Sequence, residues 1–91
     1  MSETVFKGIT ITRDQVLRAL DDFKVLYPDD NAYENWRESE NYKYALVYGD
    51  RLYPPKHILS VITGISTTEF SGGEQTNRVF QQLGFTVTDK A

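Results

Sequence analysis

Residues 48–59, YGDRLYPPKHIL, hold the pattern of a strand, a turn and the start of a helix in one short stretch. Gly49-Asp50 predicts a two-residue hairpin turn, because glycine tolerates the positive φ that such turns require. Pro54 cannot donate a hydrogen bond to a strand ladder, so the returning strand is predicted to end there. Pro55 suits the first turn of a helix, where its missing N–H has no intrahelical partner. A hairpin that leads directly into a helix indicates an α+β fold.

The residues before this stretch predict a helix and further extended segments. Thr12 with Gln15 forms a capping box, and apolar residues then recur at helical spacing, which predicts a helix over residues 13–26. Residues 42–48 alternate as a strand does, and residues 5–11 indicate a short strand or an extended lead-in. A turn at residue 28 is expected to start a short helix through Trp36.

The residues after this stretch predict two more helices and a last strand. Ile58, Leu59 and Ile62 form an apolar stripe that Gly64 ends, and a later stripe from Thr76 is ended by Gly84. Residues 85–88 read as a strand. We therefore expect one small α+β domain over residues 1–91, with three main helices and a short antiparallel sheet of three or four strands.

Composition limits the classes of function. The chain has 91 residues and no cysteine, which excludes a disulfide framework. Its formal net charge of −3 argues against non-specific binding to nucleic acids or membranes. The longest mainly apolar run, residues 58–65, is too short to span a bilayer. No basic segment followed by an apolar one marks a signal peptide. We expect a soluble, cytoplasmic protein with no membrane partner.

The charge is unevenly divided along the chain. Residues 1–50 carry six Lys or Arg against ten Asp or Glu, a balance of −4, whereas residues 51–91 carry four against three, a balance of +1. The acidic excess is concentrated in Asp21-Asp22 and in segment 29–40. Two interpretations stay open: solvated surfaces throughout, or a local basic face in the second half.

The sequence shows no set of residues suited to catalysis. His57 is the single histidine, so no metal-ligand spacing and no nucleophile–base pair is present. Ser71 has no histidine or lysine partner and no G-x-S-x-G context. We expect no catalytic residues, no metal site and no cofactor, and we expect that the chain is not an enzyme.

Ser71-Gly72-Gly73 at the start of the last helix is the strongest candidate for ligand binding. Open backbone N–H groups and the helix dipole at such a start favour an anion such as phosphate. A tight turn with an N-cap explains the same residues, and Glu74 already supplies a negative charge there. The spacing and lysine of a P-loop are absent.

The six tyrosines and one tryptophan invite a base-stacking interpretation. Most of them fall on strand alternation or helix stripes, which core packing explains. Tyr48 and Tyr53 remain candidates, since both flank the hairpin turn near Arg51 and Lys56.

Three segments resemble a known family. They are ITRDQVLRALDDF, residues 11–23; YGDRLYPPKHIL, residues 48–59; and FSGGEQTNRVFQQLGF, residues 70–85. Together they are similar to a small domain at the N-terminus of McrA-like, modification-dependent restriction endonucleases, large bacterial proteins that also carry an HNH nuclease domain. The resemblance covers about residues 9–87. It does not include the HNH histidines.

The resemblance implies a non-catalytic accessory module, DNA-facing, in defence against foreign DNA. The candidate nucleic-acid contacts that it places on this chain are Arg51, Tyr53, Lys56, Ser71, Gly72, Gly73, Thr76, Asn77 and Arg78. The alternative is a freestanding, phage-related protein–protein interaction module or inhibitor, whose acidic segment 29–40 docks on a basic partner. The DNA hypothesis predicts that Arg51, Lys56 and Arg78 share one face; the alternative predicts a continuous acidic patch.

Overall fold

The computed structural model describes residues 3–28, 44–49, 51–70 and 73–89. Several expectations lie outside the described residues: the helix through Trp36, the acidic segment 29–40, the first two positions of the strand predicted from residue 42, and the residues Asp50, Ser71 and Gly72.

The N-terminal segment forms an antiparallel hairpin. Strand β1 (Glu3–Phe6) pairs with strand β2 (Ile9–Thr12), and Phe6 opposite Ile9 leaves a two-residue turn between them. Both turn residues have positive φ, 51° at Lys7 and 80° at Gly8, as in a type I′ hairpin turn. This finding corrects the expectation of one strand or an extended lead-in over residues 5–11, because the chain reverses direction at Lys7.

Helix α1 (Arg13–Leu26) has the predicted bounds and the predicted cap. The Thr12 hydroxyl accepts a hydrogen bond from the Gln15 N–H at 3.2 Å, and the Gln15 side chain accepts one from the Thr12 N–H at 2.8 Å. The capping box therefore satisfies two N–H groups that a helix start leaves without intrahelical partners. The buried side of α1 consists of Val16, Ala19, Leu20 and Phe23.

Three strands form the second sheet. Strands β3 (Tyr44–Tyr48), β4 (Arg51–Tyr53) and β5 (Thr86–Asp89) pair in the order β4-β3-β5, with both pairings antiparallel. Tyr48 opposite Arg51 and a φ of 61° at Gly49 confirm the predicted two-residue turn. Ala45 and Leu46 point to opposite faces of the central strand and are both fully buried, so the middle of this sheet is covered on both sides.

Helix α2 (Pro55–Thr63) begins and ends where the prolines and glycine predict. Pro55 occupies the first turn, and the Gly64 N–H bonds to the Ser60 carbonyl at 2.8 Å. Gly64 has a φ of 76°, the left-handed conformation that glycine adopts without a Cβ clash. A short 3-10 helix (Thr67–Glu69) follows α2.

Helix α3 (Glu74–Gln82) ends in a Schellman motif around Gly84, whose φ is 87°. The Phe85 N–H bonds to the Phe80 carbonyl at 3.0 Å, and the Gly84 N–H bonds to the Gln81 carbonyl at 3.1 Å. The positive φ values of Gly64 and Gly84 confirm that both glycines terminate helices.

Arg13 at the start of α1 holds the end of α3. Its Nη1 group donates a hydrogen bond to the Leu83 carbonyl at 2.7 Å, and its guanidinium carbon lies 4.4 Å from the centre of the Phe85 ring. A cation at a helix C-terminus interacts favourably with the carbonyl groups that point out of the helix. Arg13 therefore links two helices whose facing ends are far apart in sequence.

The core lies where the helices meet the two hairpins. Helix α1 packs on α2 and β2, and α3 packs on β1 and β5. The largest fully buried side chains are Tyr53, Phe6, Phe80, Ile11, Leu20, Leu46, Ile58, Leu59 and Leu83. Three helices with small antiparallel sheets confirm the α+β class. In the part of the chain that the structure describes, each helix is too short or too polar to cross a membrane.

Candidate nucleic-acid interface

Arg51, one of the predicted DNA contacts, is half-buried between aromatic rings. Its guanidinium carbon lies 5.4 Å from the ring centres of both Phe23 and Tyr53. Its Nη2 group donates a hydrogen bond to the backbone carbonyl of Tyr27, just past the end of α1. Cation–π contacts and a bond to a helix-terminal carbonyl both favour this position for a guanidinium. Arg51 therefore fastens the end of α1 to β4.

Tyr53 and His57 extend the same aromatic cluster. Tyr53 is only 1% exposed, which leaves its ring almost no surface for stacking on a base. The His57 ring lies 5.6 Å from Phe23 and 6.3 Å from Tyr27, edge to face in both cases. His57 and Lys56 are half-buried at the start of α2. Within the described ranges, no group of three or more His, Cys, Asp or Glu residues could hold a metal ion.

The first turns of α3 direct two predicted contact residues inward. Thr76 is fully buried and Asn77 is 8% exposed, while Gly73 caps the helix with its carbonyl accepting the Asn77 N–H at 3.1 Å. The buried Asn77 Oδ1 atom has no hydrogen-bond partner in the described structure. The burial of Thr76 and Asn77 disfavours their direct contact with a nucleic acid, and the contact role of both residues and of Gly73 stays a prediction.

Arg78 is the predicted cation of α3 that faces solvent. Its Nη2 group lies 2.9 Å from the Glu74 Oε1 atom, one helical turn earlier, and the two side chains are 62% and 84% exposed. An ion pair this exposed contributes about 0.3–0.5 kcal/mol, because solvent screens it. A phosphate group could therefore compete with Glu74 for Arg78 at little cost.

Arg78 and Glu74 line a polar groove of about 680 Å³ between β1 and α3. The Thr4 hydroxyl donates a hydrogen bond to the Gln82 side-chain oxygen across the two elements. Phe6 and Val79, both buried, contribute apolar surface to the groove. Its polar lining consists of Thr4, Lys7, Glu74, Gln75, Arg78 and Gln82.

Lys7, in the β1–β2 turn, is the functional candidate that the sequence did not reveal. It is exposed and lines the same groove as Arg78. Lys7-Gly8 lies between the apolar residues Val5-Phe6 and the segment Ile9-Thr10-Ile11. The glycine at the second position could have indicated a hairpin turn. A lysine at positive φ is uncommon, so the sequence did not point to a turn at this position.

The groove brings together Arg78 and Lys7, and Arg78 is the one predicted contact cation that lines it. Neither Arg51 nor Lys56 lines it. Arg51 instead packs against the end of α1, and Lys56 lies at the start of α2. Arg51 thus lies in the aromatic cluster of Phe23, Tyr27, Arg51, Tyr53 and His57, whereas Arg78 lines the groove. That Arg51, Lys56 and Arg78 share one face stays a prediction.

The family of this chain follows from a match over residues 9–89 to the family described as ScoMcrA-like, N-terminal head domain. Because this match covers most of the chain, the chain belongs to that family. The match confirms the resemblance to the N-terminal module of McrA-like restriction endonucleases. No curated protein and no solved structure matches the chain significantly. Lys7 and β1 precede the matched residues, so one wall of the groove lies outside the family match.

Proposed function

We propose that this chain is a non-catalytic head domain that contacts DNA on behalf of a restriction-type protein in the bacterial cytoplasm. The observation that carries the proposal is its membership of the ScoMcrA-like head-domain family over residues 9–89. A restriction-type protein must engage DNA, and an accessory domain of such a protein has DNA as its most direct ligand.

The charge of the chain sets the kind of contact that this function requires. With a net charge of −3, the whole domain is not attracted to a polyanion, so binding depends on a few cations at short range. Charges more than about 8 Å away are largely screened at physiological salt. Arg78 on α3 and Lys7 on the neighbouring turn are exposed cations that meet this requirement.

The non-catalytic part of the proposal rests on residue chemistry. The single histidine packs its ring against Phe23 and Tyr27, and the absence of cysteine removes a thiolate nucleophile. General acid–base catalysis needs a titratable group within reach of the reacting atoms. In the proposed division of labour, strand cleavage belongs to a nuclease domain of the kind that the resemblance implies, and the head domain contributes binding.

A DNA titration of the purified chain tests the proposal. Fluorescence anisotropy would be followed with labelled duplex and single-stranded DNA, at about 50 mM and about 150 mM salt. We expect weak binding at the lower salt that declines as salt rises, and weaker binding by the Lys56→Gln/Arg78→Gln double variant. The Arg18→Gln/Lys24→Gln double variant removes the same charge from exposed positions of α1 and serves as the matched control.

Two results would refute the proposal, and a third would refute only the contact residues. Absence of binding to both DNA forms at low salt would refute the DNA-contacting function and leave the protein–protein interaction module as the better hypothesis. Equal weakening by the test and control variants would rule out Lys56 and Arg78 as local contacts and leave the DNA function standing. Cleavage of DNA by the pure chain in Mg²⁺ or Mn²⁺, lost in His57→Ala, would refute the non-catalytic role.

A further inference from the structure

The groove between β1 and α3 has the chemistry of a site for the DNA backbone. It combines two cations, Lys7 and Arg78, with the neutral polar side chains of Thr4, Gln75 and Gln82. Lysine and arginine neutralise phosphates, while amide and hydroxyl groups donate hydrogen bonds to phosphate and sugar oxygens. The two cations come from opposite walls, so a backbone lying in the groove would meet one on each side.

Glu74 limits the positive charge of this groove. Its carboxylate holds the Arg78 guanidinium at 2.9 Å, and its own charge reduces the balance of Lys7, Arg78 and Glu74 to +1. The geometry points to a phosphate-binding groove in which Lys7 and Arg78 hold the DNA backbone and Glu74 competes with phosphate for Arg78. This inference rests on the proposed DNA-contacting function and names the site and a restraint within it.

The exposure of the ion pair makes this competition physically reasonable. Because Glu74 is 84% exposed, its carboxylate is well solvated when Arg78 leaves it. Arg78 can then form two parallel hydrogen bonds with a phosphate, which a lysine cannot do. Removing the charge of Glu74 should therefore strengthen binding, a result that a purely structural role for Glu74 would not produce.

Single-charge variants of the 91-residue chain test the groove. Lys7→Gln and Arg78→Gln should each weaken duplex binding more than Lys24→Gln, an equal change of charge on α1, which does not line the groove. Glu74→Gln should tighten binding severalfold relative to Asp21→Asn, its control on α1. Duplex and single-stranded DNA would be compared, and thermal melting would show that each variant is folded.

The salt dependence of DNA affinity distinguishes local phosphate contacts from the long-range effect of the net charge of the protein. A protein loses about 3.5-fold in affinity per neutralised phosphate when salt rises from about 50 to about 200 mM. Arg78→Gln and Lys7→Gln should each reduce this loss by about that factor, whereas Lys24→Gln should leave it unchanged.

The outcomes distinguish failure of the groove from failure of the function. If the wild type binds DNA and the groove variants match the α1 controls in affinity and salt slope, the groove is wrong and the DNA function stands. If Glu74→Gln binds no tighter than Asp21→Asn, the competition is wrong. If the wild type does not bind DNA at low salt, the function and the groove are both refuted.

Discussion

Replacement of Gly84 by alanine should cost about twice the free energy of unfolding that the same change costs at Gly64. Both glycines end helices with positive φ, 87° and 76°. An alanine in this conformation is strained by about 1 kcal/mol, because its Cβ approaches the following carbonyl oxygen. Around Gly64, an added Cβ meets no atom within 4 Å, so Gly64→Ala should cost only this strain.

At Gly84 the added methyl group meets a second obstacle. The new Cβ would lie 3.1 Å from the Arg13 Nη1 atom, the same atom that donates to the Leu83 carbonyl at 2.7 Å. The guanidinium can move, but movement weakens that bond and its contact with Phe85. A hydrogen bond from a charged donor contributes about 1.5–3 kcal/mol and an exposed cation–π contact about 0.5–1 kcal/mol. Loss of a third to a half of these adds about 1 kcal/mol, so Gly84→Ala should cost about 2 kcal/mol.

Urea unfolding at equilibrium would measure both values, with thermal melting as a second observable. A difference of 1 kcal/mol corresponds to about 4–8 °C in Tm for a domain of this size. The decisive measurement is a double-mutant cycle with Arg13→Ala. In that background Gly84→Ala should cost about 1 kcal/mol, like Gly64→Ala. Equal costs in the wild-type background, or a difference that persists without Arg13, would refute the role of the guanidinium.

Two further predictions concern single side chains. Thr12→Ala should destabilise the protein by about 1 kcal/mol through loss of the capping box, and Thr10→Ala, on the exposed side of β2, should cost clearly less in the same urea series. Arg51→Lys should lower Tm almost as much as Arg51→Met, because a lysine lacks the planar group that contacts Phe23 and Tyr53; a lysine variant as stable as the wild type would contradict this role.

Local signals in the sequence predicted most of the fold. The capping box of Thr12 and Gln15, the turn at Gly49 and the glycines that end α2 and α3 each depend on residues close together in the chain. Their geometry is determined by backbone sterics and by hydrogen bonds between residues close in the chain, so the sequence alone is enough to predict it. The β1–β2 hairpin was missed because Lys7, not asparagine or glycine, occupies its first positive-φ position.

The candidate site was less predictable because the role of a cation depends on distant neighbours. Arg51 as a nucleic-acid contact stays a prediction, and the sequence did not reveal its hydrogen bond to the Tyr27 carbonyl, because Tyr27 lies 24 positions earlier and only the folded chain brings the two residues together. Thr76 was predicted both as part of the apolar stripe of the last helix and as a nucleic-acid contact. Its complete burial favours the packing role. Lys7 joins Arg78 only because β1 packs beside α3.

The proposed groove also explains how an acidic domain can serve a DNA-binding protein without binding DNA tightly by itself. Two neutralised phosphates give a salt slope of about −1.8, far below that of proteins with six to ten phosphate contacts. Such a contact is too weak to hold DNA at physiological salt alone. When a weak contact is covalently joined to a second DNA-binding unit, its effective concentration rises to about the millimolar range, and it adds to the affinity of the whole. Glu74, by competing with phosphate for Arg78, would keep the affinity of the head domain for DNA low. The head domain would then bind DNA only where another part of a restriction protein already holds it.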